Sequence, residues 1–134
     1  MMMWRYLSMK MTVGRELLWD LRRQKHAVIL EGIEQIGSKW FIWSKIKNVT
    51  VPASVCKIQA NAFSYCRDLE KVSFKRSRFR KGGLLKVIDR EAFCGCSNLR
   101  TIELPNGLEE IGIDAFRESG LERIIVPKSV ETIR

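Results

Sequence analysis

The chain has 134 residues, of which 46% are hydrophobic and 29% charged, a composition that fits one globular domain and excludes disorder as the default state. Its 24 Lys and Arg against 15 Asp and Glu leave a net charge of +9. Such a balance suits nucleic acid, an anionic surface or an acidic protein, without choosing among them.

Near the N-terminus, Arg5, Lys10, Arg15 and Glu16 interrupt any apolar run of the roughly 7–15 residues that a secretory signal needs. No stretch reaches the roughly 18 apolar residues of a membrane-spanning helix. The expectation is a chain without a membrane span, cytoplasmic by default. Val13, Leu17, Leu18 and Leu21 then fall at helical spacing and form one apolar stripe. Arg22, Arg23 and Lys25 follow, where cations suit the helix dipole. Residues 1–24 are expected to form an amphipathic helical cap. A membrane-surface helix is the competing reading, and Glu16 and Asp20 weigh against it.

Residues 25–134 read as a repeat array, about four units plus an incomplete fifth. Gly32–Pro52 aligns without a gap on Gly107–Pro127, with eight of 21 positions identical, where chance gives roughly one or two. Ala27 and Ile29 fit the strand positions of a degenerate half-repeat that precedes them, with Leu30 in the proline place. Phenylalanine anchors the units at Phe41, Phe63, Phe93 and Phe116. Three of the four follow an alanine, and Trp40 stands there in the first unit. Apolar positions recur around each Phe. Five residues before it stands Ile36, Ile58, Ile88 or Ile111, and three after it Ser44, Cys66, Cys96 or Ser119. Then come Ile46, Leu69, Leu99 and Leu121, followed by the pairs Val49 and Val51, Val72 and Phe74, Ile102 and Leu104, and Ile124 and Val126.

A period near 22–23 residues lies within the roughly 20–29 of leucine-rich repeats. The alternating pairs predict a strand whose apolar residues point inward. Pro52, Pro105 and Pro127 end it, because proline has no N–H for a ladder. The Ala-Phe segment predicts a short helical or 3₁₀ turn on the convex side. The fold class is therefore an α/β repeat, a leucine-rich-repeat solenoid with a concave parallel sheet. The outward strand positions are Asn48, Thr50, Lys71, Ser73, Thr101, Glu103, Arg123 and Ile125, a candidate concave binding face.

The second unit is seven residues longer than the third. The excess follows Phe74, in a run that holds Lys75, Arg76, Arg78, Arg80 and Lys81 before Gly82 and Gly83. These five cations are a candidate polyanion patch, with a solvated loop as the plainer reading. At the C-terminus Val130 and Ile133 open a further unit that stops at Arg134, so a fragment of a longer array is the expectation, with end-to-end association through the uncapped end as the alternative.

Ile88–Pro105 closely resembles the repeat of the BspA-like leucine-rich family, I-x-x-x-A-F-x-x-C-x-x-L-x-x-I-x-I-P, and the resemblance extends over about residues 25–134. It implies a binding scaffold like the surface antigens and adhesins of that family, which bind host or matrix proteins, and it allows a cell-surface location.

Catalytic motifs are missing from the sequence: there is no G-x-S-x-G, H-E-x-x-H or P-loop pattern. The one histidine, His26, falls in the degenerate first strand and is expected at the surface. Cys66 and Cys96 hold a recurring packing position, and Cys94-Gly95-Cys96 is too close a pair for a zinc site. The four cysteines are expected as free thiols, with no metal, no cofactor and no catalysis. The functional expectation is protein binding on the concave sheet, with an unnamed protein partner. The alternative is a basic module that holds nucleic acid or another polyanion through the 75–81 insertion.

Overall fold

The computed structural model describes residues 25–77 and 85–134. The predicted cap over 1–24 and the insertion residues Arg78, Arg80 and Lys81 lie outside the described residues. The described chain winds as a parallel β-solenoid. A first sheet runs β1 (His26–Val28), β3 (Asn48–Val51), β5 (Lys71–Phe74), in that order. A second sheet runs β2 (Gln35–Ile36), β4 (Lys57–Ile58), β6 (Val87–Ile88), β7 (Glu110–Ile111), β8 (Thr132–Ile133). Every pairing of these strands is parallel. Registers such as His26↔Asn48 and Asn48↔Lys71 place the predicted strand positions of β1, β3 and β5 directly on one another from coil to coil.

The repeated apolar positions are the core. Ile36, Ile58 and Ile88 are fully buried, as are Ile46, Leu69 and Leu99. The four phenylalanines stack face to face along the solenoid axis. Their ring centroids are 5.0 Å (Phe41–Phe63), 5.1 Å (Phe63–Phe93) and 5.5 Å (Phe93–Phe116) apart, with planes within 2° of parallel. Ala62 and Ala92 are buried beside them, and their small side chains let successive coils approach to that spacing.

The Ala-Phe segment corrects one expectation. Among the described residues it is neither a helix nor a 3₁₀ turn, but three overlapping β-turns in each coil. In the second coil the N–H groups of Ala62, Ser64 and Cys66 donate to the carbonyls of Gln59, Asn61 and Phe63 at 3.2 Å each. The third residues of the first and last turns, Asn61 and Tyr65, have φ of 59°. Left-handed residues at that place are the mark of type II turns. The alternate N–H groups leave the coil: Phe63 donates to Ala92 O at 2.8 Å and Tyr65 to Cys94 O at 2.7 Å. A helix would keep all these donors within its own coil. The solenoid uses the alternate ones to join coils, so no helix propagates.

At the opposite corner, a turn follows the first-sheet rung in four of the coils among the described residues. The N–H groups of Ile33, Val55, Leu108 and Val130 donate to the carbonyls of Leu30, Pro52, Pro105 and Pro127 over 3.1–3.4 Å. Leu30 does hold the proline place. In two of these turns Gly32 and Gly107 have φ of 104° and 95°, values that only glycine adopts cheaply. Their N–H groups are capped from the following coil by the Ser54 and Ser129 hydroxyls, at 2.9 and 3.0 Å.

Candidate functional site

The outward residues of the first sheet lie on one solvent face. In β3 Val49 and Val51 are buried while Asn48 and Thr50 are half-exposed. Lys71, Thr101, Glu103, Arg123 and Ile125 are exposed, and Ser73 is intermediate. The register puts Asn48 beside Lys71 and Thr50 beside Ser73. An isolated parallel bridge joins Glu103 to Ile125. His26 extends this face, with its ring Nδ1 2.9 Å from the Asn48 side-chain amide.

The face is not continuous. Its ladder stops at β5 and resumes only at the Glu103–Ile125 bridge. The Lys71 N–H donates to Lys47 O at 3.2 Å and the Lys75 N–H to Val51 O at 2.9 Å. In a parallel ladder, residues alternate in the side to which their main-chain groups point. Val72 and Phe74 therefore direct theirs away from β3, toward Thr101–Leu104. Among the described residues no main-chain hydrogen bond joins these two rungs. A cleft of about 510 Å³ opens between Lys71–Arg76 and Thr101–Asn106. The second sheet stays paired across the same junction, with Lys57 beside Val87. Among the described residues the parting is thus confined to the first sheet at this junction.

Lys71, Lys75 and Arg76 line this cleft, and Glu103 is its one acidic residue among the described residues. Arg76 reaches Glu103 at 4.0 Å, with both side chains about nine-tenths exposed, so water screens the pair strongly. The cleft thereby joins half of the predicted concave face to the two described residues of the predicted polyanion patch. The sequence shows the extra length but carries no sign of which sheet would part.

A second feature escaped the sequence reading. Two residues after the first three phenylalanines stand Trp43, Tyr65 and Gly95. Trp43 stacks on Tyr65 at 4.5 Å, and the Arg67 guanidinium lies 5.4 Å from the Trp43 ring centroid. The Tyr65 ring fills the space where a Cβ on Gly95 would stand. The recurring offset from Phe was the available signal.

The cysteines are all free, and Cys66, Cys94 and Cys96 are buried. Burial pushes the Cys96 thiol far up, and burial with the Glu91 charge raises Cys94, the reverse of what a nucleophilic thiolate requires. Among the described residues no cluster of His, Cys, Asp and Glu could hold a metal. No described helix is long and apolar enough to cross a membrane.

The model of the BspA type leucine rich repeat region matches residues 13–134 in six copies. Several solved structures are similar. A leucine-rich repeat protein from T. pallidum is 26% identical with a TM-score of 0.73, over 84% of this chain and 52% of that one. Another, from Eubacterium ventriosum, is 27% identical with a TM-score of 0.77, over 93% and 32%. The pneumococcal vaccine antigen PcpA is 30% identical with a TM-score of 0.69, over 80% and 26%. The chain thus spans about half or less of the length of these three proteins. No curated protein matches it.

Proposed function

Because this chain belongs to the BspA-type leucine-rich repeat family, we propose that it is a binding scaffold without catalysis, which docks a protein partner on the outward residues of its first sheet. One observation carries the reading. Asn48, Thr50, Lys71 and Ser73 form a polar, solvent-facing ladder on strands whose other residues are packed inward. Rigid strands hold such side chains at fixed spacings, which lowers the entropy cost of binding. The description of a similar protein as a vaccine antigen supports a partner met outside the cell. The buried thiols with raised pKa and the surface position of His26 supply no activated nucleophile or acid–base pair.

The test is retention of host or matrix proteins by the immobilised chain at low and high salt, against a Thr50→Arg/Ser73→Arg variant. Loss of a salt-resistant band in the variant supports the reading. Equal capture by the two chains defeats it.

The second reading is a polyanion site through Lys75 and Arg76, joined by Arg78, Arg80 and Lys81. The cationic lining of the cleft favours it. Retention on nucleic acid or heparin that collapses as salt rises, and that the Thr50→Arg/Ser73→Arg variant does not lower, is its signature.

A further inference from the structure

In the first sheet β1 pairs with β3 and β3 with β5. Between β5 and Thr101–Leu104, by contrast, two rungs face each other unjoined. The second sheet is paired on the same coils, so the opening is not a fraying of the solenoid. By strand alternation, the main-chain groups of Val72 and Phe74 on one side, and of Thr101 and Glu103 on the other, are aimed into it. An exposed strand edge of alternating N–H and C=O groups is a template for another strand.

We propose that the parted rungs of the first sheet bind an extended acidic peptide segment of a partner protein, which pairs along the β5 edge within the cleft. The proposal rests on the protein-binding reading above and names the chemistry of the partner. The charge fixes the sign, since Lys71, Lys75 and Arg76 stand against Glu103 alone. Carboxylates on alternate residues of a bound strand would meet Lys71 and Lys75, which share one strand face. The intervening residues would lie against the apolar part of the lining, Val72, Phe74, Ile102, Leu104 and Pro105. The volume of about 510 Å³ is within the roughly 300–1,000 Å³ of ordinary ligand clefts. A peptide satisfies both donors and acceptors of a strand edge. A nucleic acid offers chiefly phosphate acceptors and bases, and among the described residues the cleft lining has Phe74 as its one aromatic residue on which to stack them.

The experiment uses the full chain and four probes: a fluorescent peptide of alternating Glu and Val, the same peptide with alternate main-chain nitrogens methylated, a Lys-Val peptide, and an oligonucleotide of matched charge. Fluorescence anisotropy should show the Glu-Val peptide bound. Methylation should weaken it about tenfold or more, through the lost main-chain bonds. The Lys-Val peptide should not bind. Lys71→Glu/Arg76→Glu, both on exposed side chains, should lose the Glu-Val peptide about tenfold with an unchanged circular-dichroism spectrum. Equal binding of the methylated peptide would show charge attraction alone and overturn the proposal. So would tighter binding of the oligonucleotide, or no binding of the Glu-Val peptide. If the peptide fails while Thr50→Arg/Ser73→Arg still abolishes capture of a protein, only the cleft proposal falls. If both fail, the scaffold reading falls with it.

Discussion

The Cys66 thiol donates to the carbonyl oxygen of Phe41, one coil back, at 2.9 Å. Cys96 repeats the contact one coil on, with Phe63 O at 3.2 Å. The cysteine of this repeat is therefore a small buried donor that ties the end of each turn run to the preceding phenylalanine. Serine takes the place at Ser44, where its hydroxyl accepts from Ile46 N at 3.2 Å.

This geometry predicts the behaviour of the thiols. All four are free, so four should react with a disulfide reagent in denaturant without prior reduction. In the folded chain at mildly alkaline pH, Cys66 and Cys96 should react far more slowly than half-exposed Cys56. Burial removes access, and for Cys96 it also raises the pKa. A count below four in denaturant, or equal native rates, would contradict the arrangement.

Phe93 is stacked on both sides, against Phe63 and Phe116. Phe93→Ala should lower stability by about 3–5 kcal/mol, the usual loss for a fully buried aromatic ring. Because the stack is continuous, the loss should be transmitted to neighbouring coils, as expected where stability is a sum of coil and interface terms. An unchanged denaturant midpoint would show that the ring is not the anchor described.

The Phe, Ile and Leu columns are legible in the sequence because each coil repeats them, and the fourfold recurrence outweighs any one divergent residue such as Trp40. The turn run is not, because a helical turn and three overlapping β-turns place the same residues inward. The left-handed positions that separate them carry Lys39, Asn61, Glu91 and Asp114 in the first turns and Trp43, Tyr65, Gly95 and Glu118 in the last, among which only Asn61, Asp114 and Gly95 are of types that favour that backbone. The partition of alternate N–H groups between coils leaves no mark in composition at all. The outward face is legible by alternation, whereas its interruption is not. Seven extra residues say that slack exists, and only the pairing of Lys57 with Val87 shows which sheet absorbs none of it.

Gly95→Ala should be costly for its size. The position has φ of 74° and a Cβ there would stand 2.5 Å from a carbon of the Tyr65 ring. Tyr65 would have to swing off its place, and Trp43 would lose its stacking partner. The expected loss is about 1–3 kcal/mol, with a weakened near-ultraviolet circular-dichroism signal. A melt unchanged from the parent would mean that the ring moves freely.

Asp89 predicts an acid limb. Partial burial pushes its carboxyl up, but the Arg90 backbone N–H and the Lys57 ammonium, 3.1 Å away, outweigh this and hold it below the ordinary value of 3.8. A carboxylate with a depressed folded pKa stabilises the fold above its unfolded value. That contribution is lost as pH falls through the folded value. Asp89→Asn should therefore flatten the dependence of melting temperature on pH below 3.8. Both side chains of the pair are more than one-third exposed, so the effect should be small and should shrink in salt. Parallel curves for parent and variant would remove Asp89 from the acid response.

Deletion of Arg76–Gly82 removes seven residues and reduces the spacing of Phe63 and Phe93 from 30 to the 23 that separates Phe93 and Phe116. The second sheet already pairs across this junction in register, so the core columns need no shift. Loop length itself contributes little, about 0.6 kcal/mol per doubling. The deletion should keep the circular-dichroism spectrum and leave melting nearly unchanged or slightly raised. The direction of any rise has a cause: with the slack gone, Val72 and Phe74 can donate to the next rung and close the first sheet. If the insertion is the cationic element of the alternative reading, heparin retention should fall sharply in the same variant. If the parted rungs are the binding element, the Glu-Val peptide should be lost even when Glu103→Lys restores positive charge beside β5, because Thr101–Leu104 then occupies the strand edge. A variant that fails to fold would mean that the inserted segment packs into the core, against the separation of scaffold and insertion argued from the pairing of Lys57 with Val87.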